Sequence, residues 1–359
     1  MNRIMFVIPS IRNGGAERVI TRLSTGLIKA GYEIHILEFF RPVQGYTLDS
    51  RVQLHSMFET EAEYDKTNFL LRNKMMRQEI LSAKPDAIIP FLEYVCQKTQ
   101  LSLLFTKYFK RIVVTLRNSP TVGNWKDKFL RMLSIWMANS CIAQSERQAG
   151  YLPGWLQPKI FAIANPIDYV EEPFCERSKE IQFVAAGRLV EQKNYALMIS
   201  SFAKVAKHRN VYLDIFGVGE QKTQLNKMID DLNLSERITL RDYSQNLIEE
   251  YRKSSIYILT SSWEGMPNAL LEAMALGMPC IATDCPTGPA ELISDKKYGI
   301  LVPINDEEAL VCAMIRLIDD PELRKDMGRA ARKHILSEYS LSRITAQWIE
   351  VLQKRGLVQ

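Results

Sequence analysis

The chain has 359 residues, too many for one ordinary core and suited to two domains. With 47% hydrophobic and 24% charged residues, 17 Gly and 15 Pro, it excludes a disordered or low-complexity protein. The net charge of +5 is unevenly divided: residues 1–170 hold 22 Lys and Arg against 14 Asp and Glu, the remainder 24 against 27, and the basic first half fits contact with an anionic surface.

The chain opens with Ile4-Met-Phe-Val-Ile8, an apolar run before Pro9 that is too short for a signal peptide or a membrane span. No later stretch reaches spanning length, so a cytoplasmic location is expected. Arg12-Asn-Gly-Gly-Ala-Glu-Arg18 follows, then Val19, Ile20, Leu23 and Leu27 at helical spacing: strand, glycine loop, helix. Further strands are expected at 32–37, 86–91, 111–115 and 140–144, with helical patterns between them. This is the grammar of βα units and a parallel sheet. The turn Asn165-Pro-Ile-Asp168 and the polar stretch 171–180 read as a linker.

The second half restarts the pattern with strands expected at 181–186, 211–216, 237–240, 255–260 and 279–283. The fold class is therefore α/β, with two doubly wound, Rossmann-like parallel-sheet domains, 1–172 and 173–340, facing a central cleft. The segment 341–359, with Trp348, Val351 and Leu352 at helical spacing, is expected to pack back on the first domain. The six cysteines, 96, 141, 175, 280, 285 and 312, form no C-x-x-C pair and read as reduced thiols.

Three clusters suit anion chemistry. Ser261-Ser-Trp-Glu-Gly-Met-Pro-Asn-Ala-Leu-Leu-Glu-Ala-Met-Ala-Leu-Gly-Met-Pro279 places a helix of about ten residues directly after a strand, opened near Pro267 and ended by Gly277. Its N-terminus, fed by a flexible Glu264-Gly265 loop, turns N–H groups and a positive dipole end toward a ligand. Glu264 and Glu272 are acceptor-only groups suited to sugar hydroxyls, or else a surface loop residue and an ordinary helix former. Gly187-Arg-Leu-Val-Glu-Gln-Lys-Asn194 puts Arg188 and Lys193 on a strand-to-helix loop, where two cations can grip a diphosphate and neutralise its charge as it departs. Asn13-Gly-Gly-Ala-Glu-Arg18 lets backbone amides approach an anion. It is not G-x-G-x-x-G, and no acidic residue is expected after the second strand in the dinucleotide-binding position, so a nicotinamide cofactor is disfavoured.

These clusters, in this order and spacing, resemble family 4 of the retaining glycosyltransferases, which have the GT-B fold, and in particular enzymes of bacterial cell-surface polysaccharide synthesis. The similarity is strongest over 181–340, where Phe216-Gly-Val-Gly-Glu220, Asp284-Cys-Pro-Thr-Gly-Pro-Ala-Glu-Leu-Ile293 and Gly299-Ile-Leu-Val302 also match. The resemblance implies a nucleotide-diphosphate sugar donor, UDP-linked as the commonest case, and a saccharide acceptor. It implies that Arg188 and Lys193, with Gly187, hold the diphosphate, Glu272 the ribose, and Glu264 a hydroxyl of the transferred sugar. Gly265 and the amides of Met266, Asn268 and Ala269 would meet the diphosphate or sugar, and Gly14 and Gly15 the phosphate or acceptor. Thr283, Gly288 and Glu291 would border the acceptor or donor sugar.

One departure is visible. Many relatives carry a His after the fourth strand of the first domain, where this chain reads Thr115-Leu-Arg-Asn-Ser-Pro120. Arg117, beside Asn118, would then stabilise the leaving diphosphate or bind an anionic acceptor, but cannot act as a base. No Asp-x-Asp occurs, so neither metal nor other cofactor is expected. Transfer with retention remains open without the His, because the leaving phosphate oxygen can itself take the acceptor's proton. Three basic, apolar segments, 68–77, 101–111 and 125–136, read either as packing helices or as helices lying on an anionic membrane, which would favour a lipid-linked acceptor. No nucleic-acid partner is expected. The alternatives are a nucleotide-sugar epimerase of the same two-lobed fold and a non-catalytic partner subunit.

Overall fold

The computed structural model describes residues 2–12, 14–42, 45–168, 180–242, 244 and 246–359; Asn13, Cys175 and the expected linker at 171–179 lie outside them. The chain divides into two compact units, Met1–Asp168 with Tyr339–Gln359, and Tyr169–Glu338. The divisions fall at 168/169 and 338/339, where the sequence suggested 172/173 and 340/341.

Unit 1 contains β1 (Arg3–Ile8), β2 (Glu33–Phe40), β3 (Gln53–Phe58), β4 (Ala87–Pro90), β5 (Val113–Thr115), β6 (Ser140–Ala143) and β7 (Ile160–Ala162). They pair in parallel in the orders β3-β2-β1-β4 and β5-β6-β7, and a parallel bridge from Ile88 to Ile112 joins the two runs. The central strands β1 and β4 are apolar on both sides because both faces are covered. Ile4, Phe6 and Ile8 of β1 pack with α1 (Gly15–Lys29) and with Ile344, Trp348 and Leu352 of the helix Leu341–Lys354. Met5 and Val7 face the other way. There they meet α3 (Phe69–Ala83), α4 (Glu93–Leu103) and α5 (Trp125–Met137), with the short α2 (Glu61–Lys66) at the edge.

Two of these strands, β3 and β7, were not expected from sequence; because β3 precedes it, Arg117 follows the fifth strand of unit 1 and not the fourth. Both are sheet-edge strands with little buried surface, which removes the apolar signal.

Unit 2 holds β8 (Ile181–Ala186), β9 (Val211–Phe216), β10 (Ile238–Arg241), β11 (Ile256–Leu259), β12 (Cys280–Thr283) and β13 (Ile300–Val302), all parallel, in the order β10-β9-β8-β11-β12-β13. Chain order reverses between β8 and β11, so the loops leaving those two strands flank the crevice where such sheets take ligands. The corresponding crevice of unit 1 lies between β1 and β4.

Candidate active site

The loop after β8 is anchored by backbone. Gly187 N donates to Phe216 O at 3.0 Å and Leu189 N to Val218 O at 2.8 Å, while a side-chain carbon on Gly217 would overlap Gly187 O. The Gly-Val-Gly turn is thus the bed on which the cationic loop lies, a role its motif alone did not reveal. Arg188 is exposed and makes no side-chain hydrogen bond to the described residues. The one-turn helix Glu191–Lys193 ends at Asn194, whose φ of 49° launches the helix Tyr195–Ala206.

Across the crevice stands the loop after β11. Lys193 Nζ lies 2.5 Å from Glu264 Oε1, and the two side chains are 14% and 8% exposed. Ser261 Oγ donates to the same carboxylate oxygen at 2.7 Å. Ser262 N to Gln192 O (2.8 Å), Gln192 Nε2 to Trp263 O (2.7 Å) and Thr260 Oγ1 to Lys193 O (2.9 Å) lace the loops together. The Glu264-Gly265 loop is therefore a tied, buried segment and not the flexible one expected from its glycine. Nearby, burial pushes the Cys285 thiol up to about 12, with Glu264 raising it and Lys193 lowering it.

Helix Asn268–Leu276 starts behind Pro267, which brings no capping side chain, has no acidic residue in its first turn, and closes on Gly277 at φ 92°. Its positive end is therefore not neutralised by a first-turn carboxylate. Met266 is buried, Asn268 and Ala269 half-exposed. Glu272 is fully buried, so a ribose cannot reach it unless its surroundings open.

The 283–291 loop proves mostly structural. Thr283 is fully buried and donates to Ser261 O at 2.6 Å, so its hydroxyl ties β12 to the Glu264 loop and does not border a ligand. Glu291 Oε2 accepts Gly288 N at 2.7 Å, capping its own short helix. Gly288 has φ 101°, and a side-chain carbon there would sit 2.8 Å from both Gly265 O and Pro267 Cδ. It shapes the Glu264 loop from behind.

In unit 1, Arg117 Nη1 donates to Asn165 Oδ1 at 2.9 Å, and the guanidinium lies 4.0 Å over the Phe91 ring. Its Nε and Nη2 are buried without partners among the described residues, and burial lowers its pKa to about 9. Asn118 is exposed, while its carbonyl accepts from Gln148 Nε2 at 2.8 Å. Arg131 steadies the same loop, donating to Pro120 O at 2.7 Å and to Val122 O at 3.1 Å.

Two expectations for the β1 and β2 ends need correction. A side-chain carbon on Gly14 would overlap the Glu17 carboxylate, so that anion already lies against the start of α1, and Gly14 and Gly15 are poorly placed for a donor phosphate. An acidic residue does stand near the end of β2: Glu38. It is fully buried against Ser56 Oγ (2.6 Å) and Ile11 N (3.4 Å), and burial raises its pKa, so it is not presented to a ribose.

Comparison with known proteins fits this geometry. Residues 171–334 match the family described as Glycosyl transferases group 1. The amylovoran biosynthesis glycosyltransferase AmsD of Erwinia amylovora is 25% identical, over 98% of this chain and 100% of AmsD. The chain is a glycosyltransferase of the GT-B fold. A Campylobacter jejuni α-1,4-N-acetyl-D-galactosaminyltransferase, named for a diNAcBac-PP-undecaprenol-linked acceptor, is 24% identical over 98% of each chain. Among solved structures, S. aureus TarM in complex with Fondaparinux, alpha-GlcNAc-glycerol and UDP superposes with a TM-score of 0.83 at 16% identity, covering 98% of this transferase and 99% of TarM. That likeness bears on the fold alone.

Proposed function

We propose that this glycosyltransferase moves a sugar from a UDP-sugar to a saccharide acceptor with retention at the anomeric carbon and without a metal ion. The observation that carries this reading is the Lys193–Glu264 pair next to the start of helix Asn268–Leu276 at the switch point of unit 2, with Arg188 exposed on the loop that leaves β8. As the bond from the anomeric carbon to the phosphate oxygen breaks, negative charge grows on the diphosphate. Arg188 and Lys193 neutralise it, with the amides of Asn268 and Ala269 at the helix end. Glu264, held by Lys193 and Ser261, accepts a hydroxyl of the transferred sugar. The departing phosphate oxygen takes the acceptor's proton as the acceptor oxygen bonds to the same face. Arg117 keeps its charge at neutral pH and serves anion binding, not proton abstraction.

The acceptor is read as lipid-linked, in cell-surface polysaccharide synthesis at the cytoplasmic membrane face. Support comes from what the AmsD and C. jejuni enzymes are named for and from unit 1 itself. Of sixteen exposed large apolar side chains among the described residues, eleven fall between Phe69 and Trp136, in and between α3, α4 and α5, among them Leu70, Phe105 and Trp125 at 78%, 95% and 73%. Residues 66–136 carry thirteen Lys and Arg against four Asp and Glu, which suits an anionic bilayer. No helix of the described residues is long and apolar enough to cross a membrane.

Incubation with UDP-, GDP- and ADP-sugars, with and without saccharide acceptors and with EDTA, tests the reading. UDP release that persists in EDTA, and an α-linked product from an α-donor by NMR, support it. An isomerised donor would mark an epimerase, an inverted product would end the retaining assignment, and loss in EDTA would end metal independence. Flotation with vesicles rich in anionic lipid tests the membrane face.

A further inference from the structure

The phenol of Tyr195 ends at the switch point of unit 2. Tyr195 is the first residue of the helix Tyr195–Ala206, where a side chain leans back toward the helix N-terminus. Its hydroxyl therefore comes up against the loop that leaves β8. A side-chain carbon on Gly187 would stand 3.0 Å from Tyr195 Oη and 3.0 Å from Lys193 Cε. The hydroxyl, the bare Gly187 and the end of the Lys193 side chain thus share one corner, and a methyl group on Gly187 would crowd it.

Tyr195 is 2% exposed, and its ring belongs to the core of unit 2. The hydroxyl makes no hydrogen bond with the described residues. Buried hydroxyls are rarely left so, because losing water without gaining a partner is costly. Phenylalanine would fill the same core without that cost, so the hydroxyl is suited to a partner that the chain does not supply.

The surroundings select an anion. Lys193 stands beside the hydroxyl, and the helix opens with neither a capping side chain nor an acidic residue in its first turn, which leaves its positive end unneutralised. Burial first, then the charge of Glu264, raises the pKa of the phenol, so at neutral pH it holds its proton and can donate it in a hydrogen bond. Glu264 is not that acceptor: its Oε1 takes Lys193 and Ser261.

We infer that Tyr195 Oη donates a hydrogen bond to the diphosphate of the sugar donor, at the phosphate next to the transferred sugar. This rests on the transferase reading above and deepens it by adding a donor-binding residue. The sugar-side phosphate is the one in reach because Lys193, the neighbour of the hydroxyl, is bound to Glu264, which that reading sets on the sugar.

Calorimetric titration of the full chain with UDP and UMP tests it, with the GDP and ADP pairs run alongside. Tyr195→Phe should bind the nucleoside diphosphate about tenfold more weakly than the parent, lose less for the monophosphate, and melt at or above the parent's temperature. Tyr257→Phe is the control. Its hydroxyl is also buried without a partner among the described residues, but on β11 against the Tyr251 ring, and its removal should leave nucleotide affinity unchanged. A Tyr195→Phe protein that binds the diphosphate as tightly as the parent overturns the inference. So do equal losses for diphosphate and monophosphate, an equal loss in Tyr257→Phe, or a Tyr195→Phe protein that melts several degrees below the parent, whose hydroxyl must then be bonded within the fold. If Tyr195→Phe binds normally while Lys193→Ala does not, Tyr195 alone is excluded and the transferase reading survives; a parent that binds none of the three diphosphates ends both.

Discussion

Lys193 reaches across 71 residues of sequence to Glu264, joining the loop after β8 to the loop after β11 by an ion pair that is nearly closed to water. Removing one member of such a pair leaves the other buried and unpaired. Glu264→Ala should therefore lower stability by about 3 kcal/mol, and Glu264→Gln, which keeps shape and one acceptor, by less. Urea unfolding of the two variants checks this; equal stability of Glu264→Ala and the parent would show that the pair is solvated in solution.

Gly288 and Gly14 should respond differently to alanine. At Gly288 the backbone φ of 101° and the 2.8 Å approaches to Gly265 O and Pro267 Cδ leave no rotation to relieve the strain, so Gly288→Ala should cost about 2 kcal/mol or more. At Gly14 the obstacle is the flexible end of Glu17, so Gly14→Ala should cost about 1 kcal/mol or less. Parallel thermal melts decide whether that ranking holds.

Arg117 should show a conflict between stability and activity. Its guanidinium is buried on two nitrogens with no partner and has no carboxylate paired with it among the described residues. Arg117→Met keeps the stack on Phe91 and removes the buried charge, so it should gain about 1 kcal/mol or more in stability while losing transfer. A destabilised Arg117→Met protein would mean that the charge is compensated in solution.

Acid should loosen unit 1 before it touches the carboxylates of the site. His35 is 3% exposed, with Nδ1 2.8 Å from His55 Nε2 and Nε2 2.9 Å from Glu33 Oε1, and burial is the largest of the effects that lower its pKa from 6.5. The unfolded chain therefore takes up a proton that the folded one resists. The stabilisation is complete above about pH 6.5 and is lost as pH falls below it, with a slope of up to about 1.4 kcal/mol per pH unit. Glu33, lowered first by its bond to His35, acts below the carboxylate range and leaves this window clear. Melting temperatures from pH 7.5 to 5.5 should fall for the parent and less for His35→Gln; parallel curves would remove His35 as the cause.

Local patterns carried most of the fold. The strands at 181–186, 211–216 and 280–283 were legible because buried parallel strands read as predominantly apolar runs, and the helix end at Gly277 because only glycine takes its φ of 92° at no cost. The edge strand Gln53–Phe58 was not, because its exposed residues carry no such run. In the site, the loops bearing Arg188, Lys193 and Glu264 could be found from residue type and spacing. Side-chain direction could not: Thr283 turning to Ser261 O, Glu17 lying on Gly14 and Glu272 enclosed in its helix all follow from three-dimensional neighbours.

Arg188 offers the most direct test of the claim that cations on the β8 loop neutralise a departing diphosphate, because it is exposed and its removal breaks no side-chain hydrogen bond among the described residues. The rate of nucleotide diphosphate release at saturating donor and acceptor should fall about 100-fold in Arg188→Ala, with melting unchanged. A normally folded Arg188→Ala protein that releases the diphosphate as fast as the parent would contradict the account.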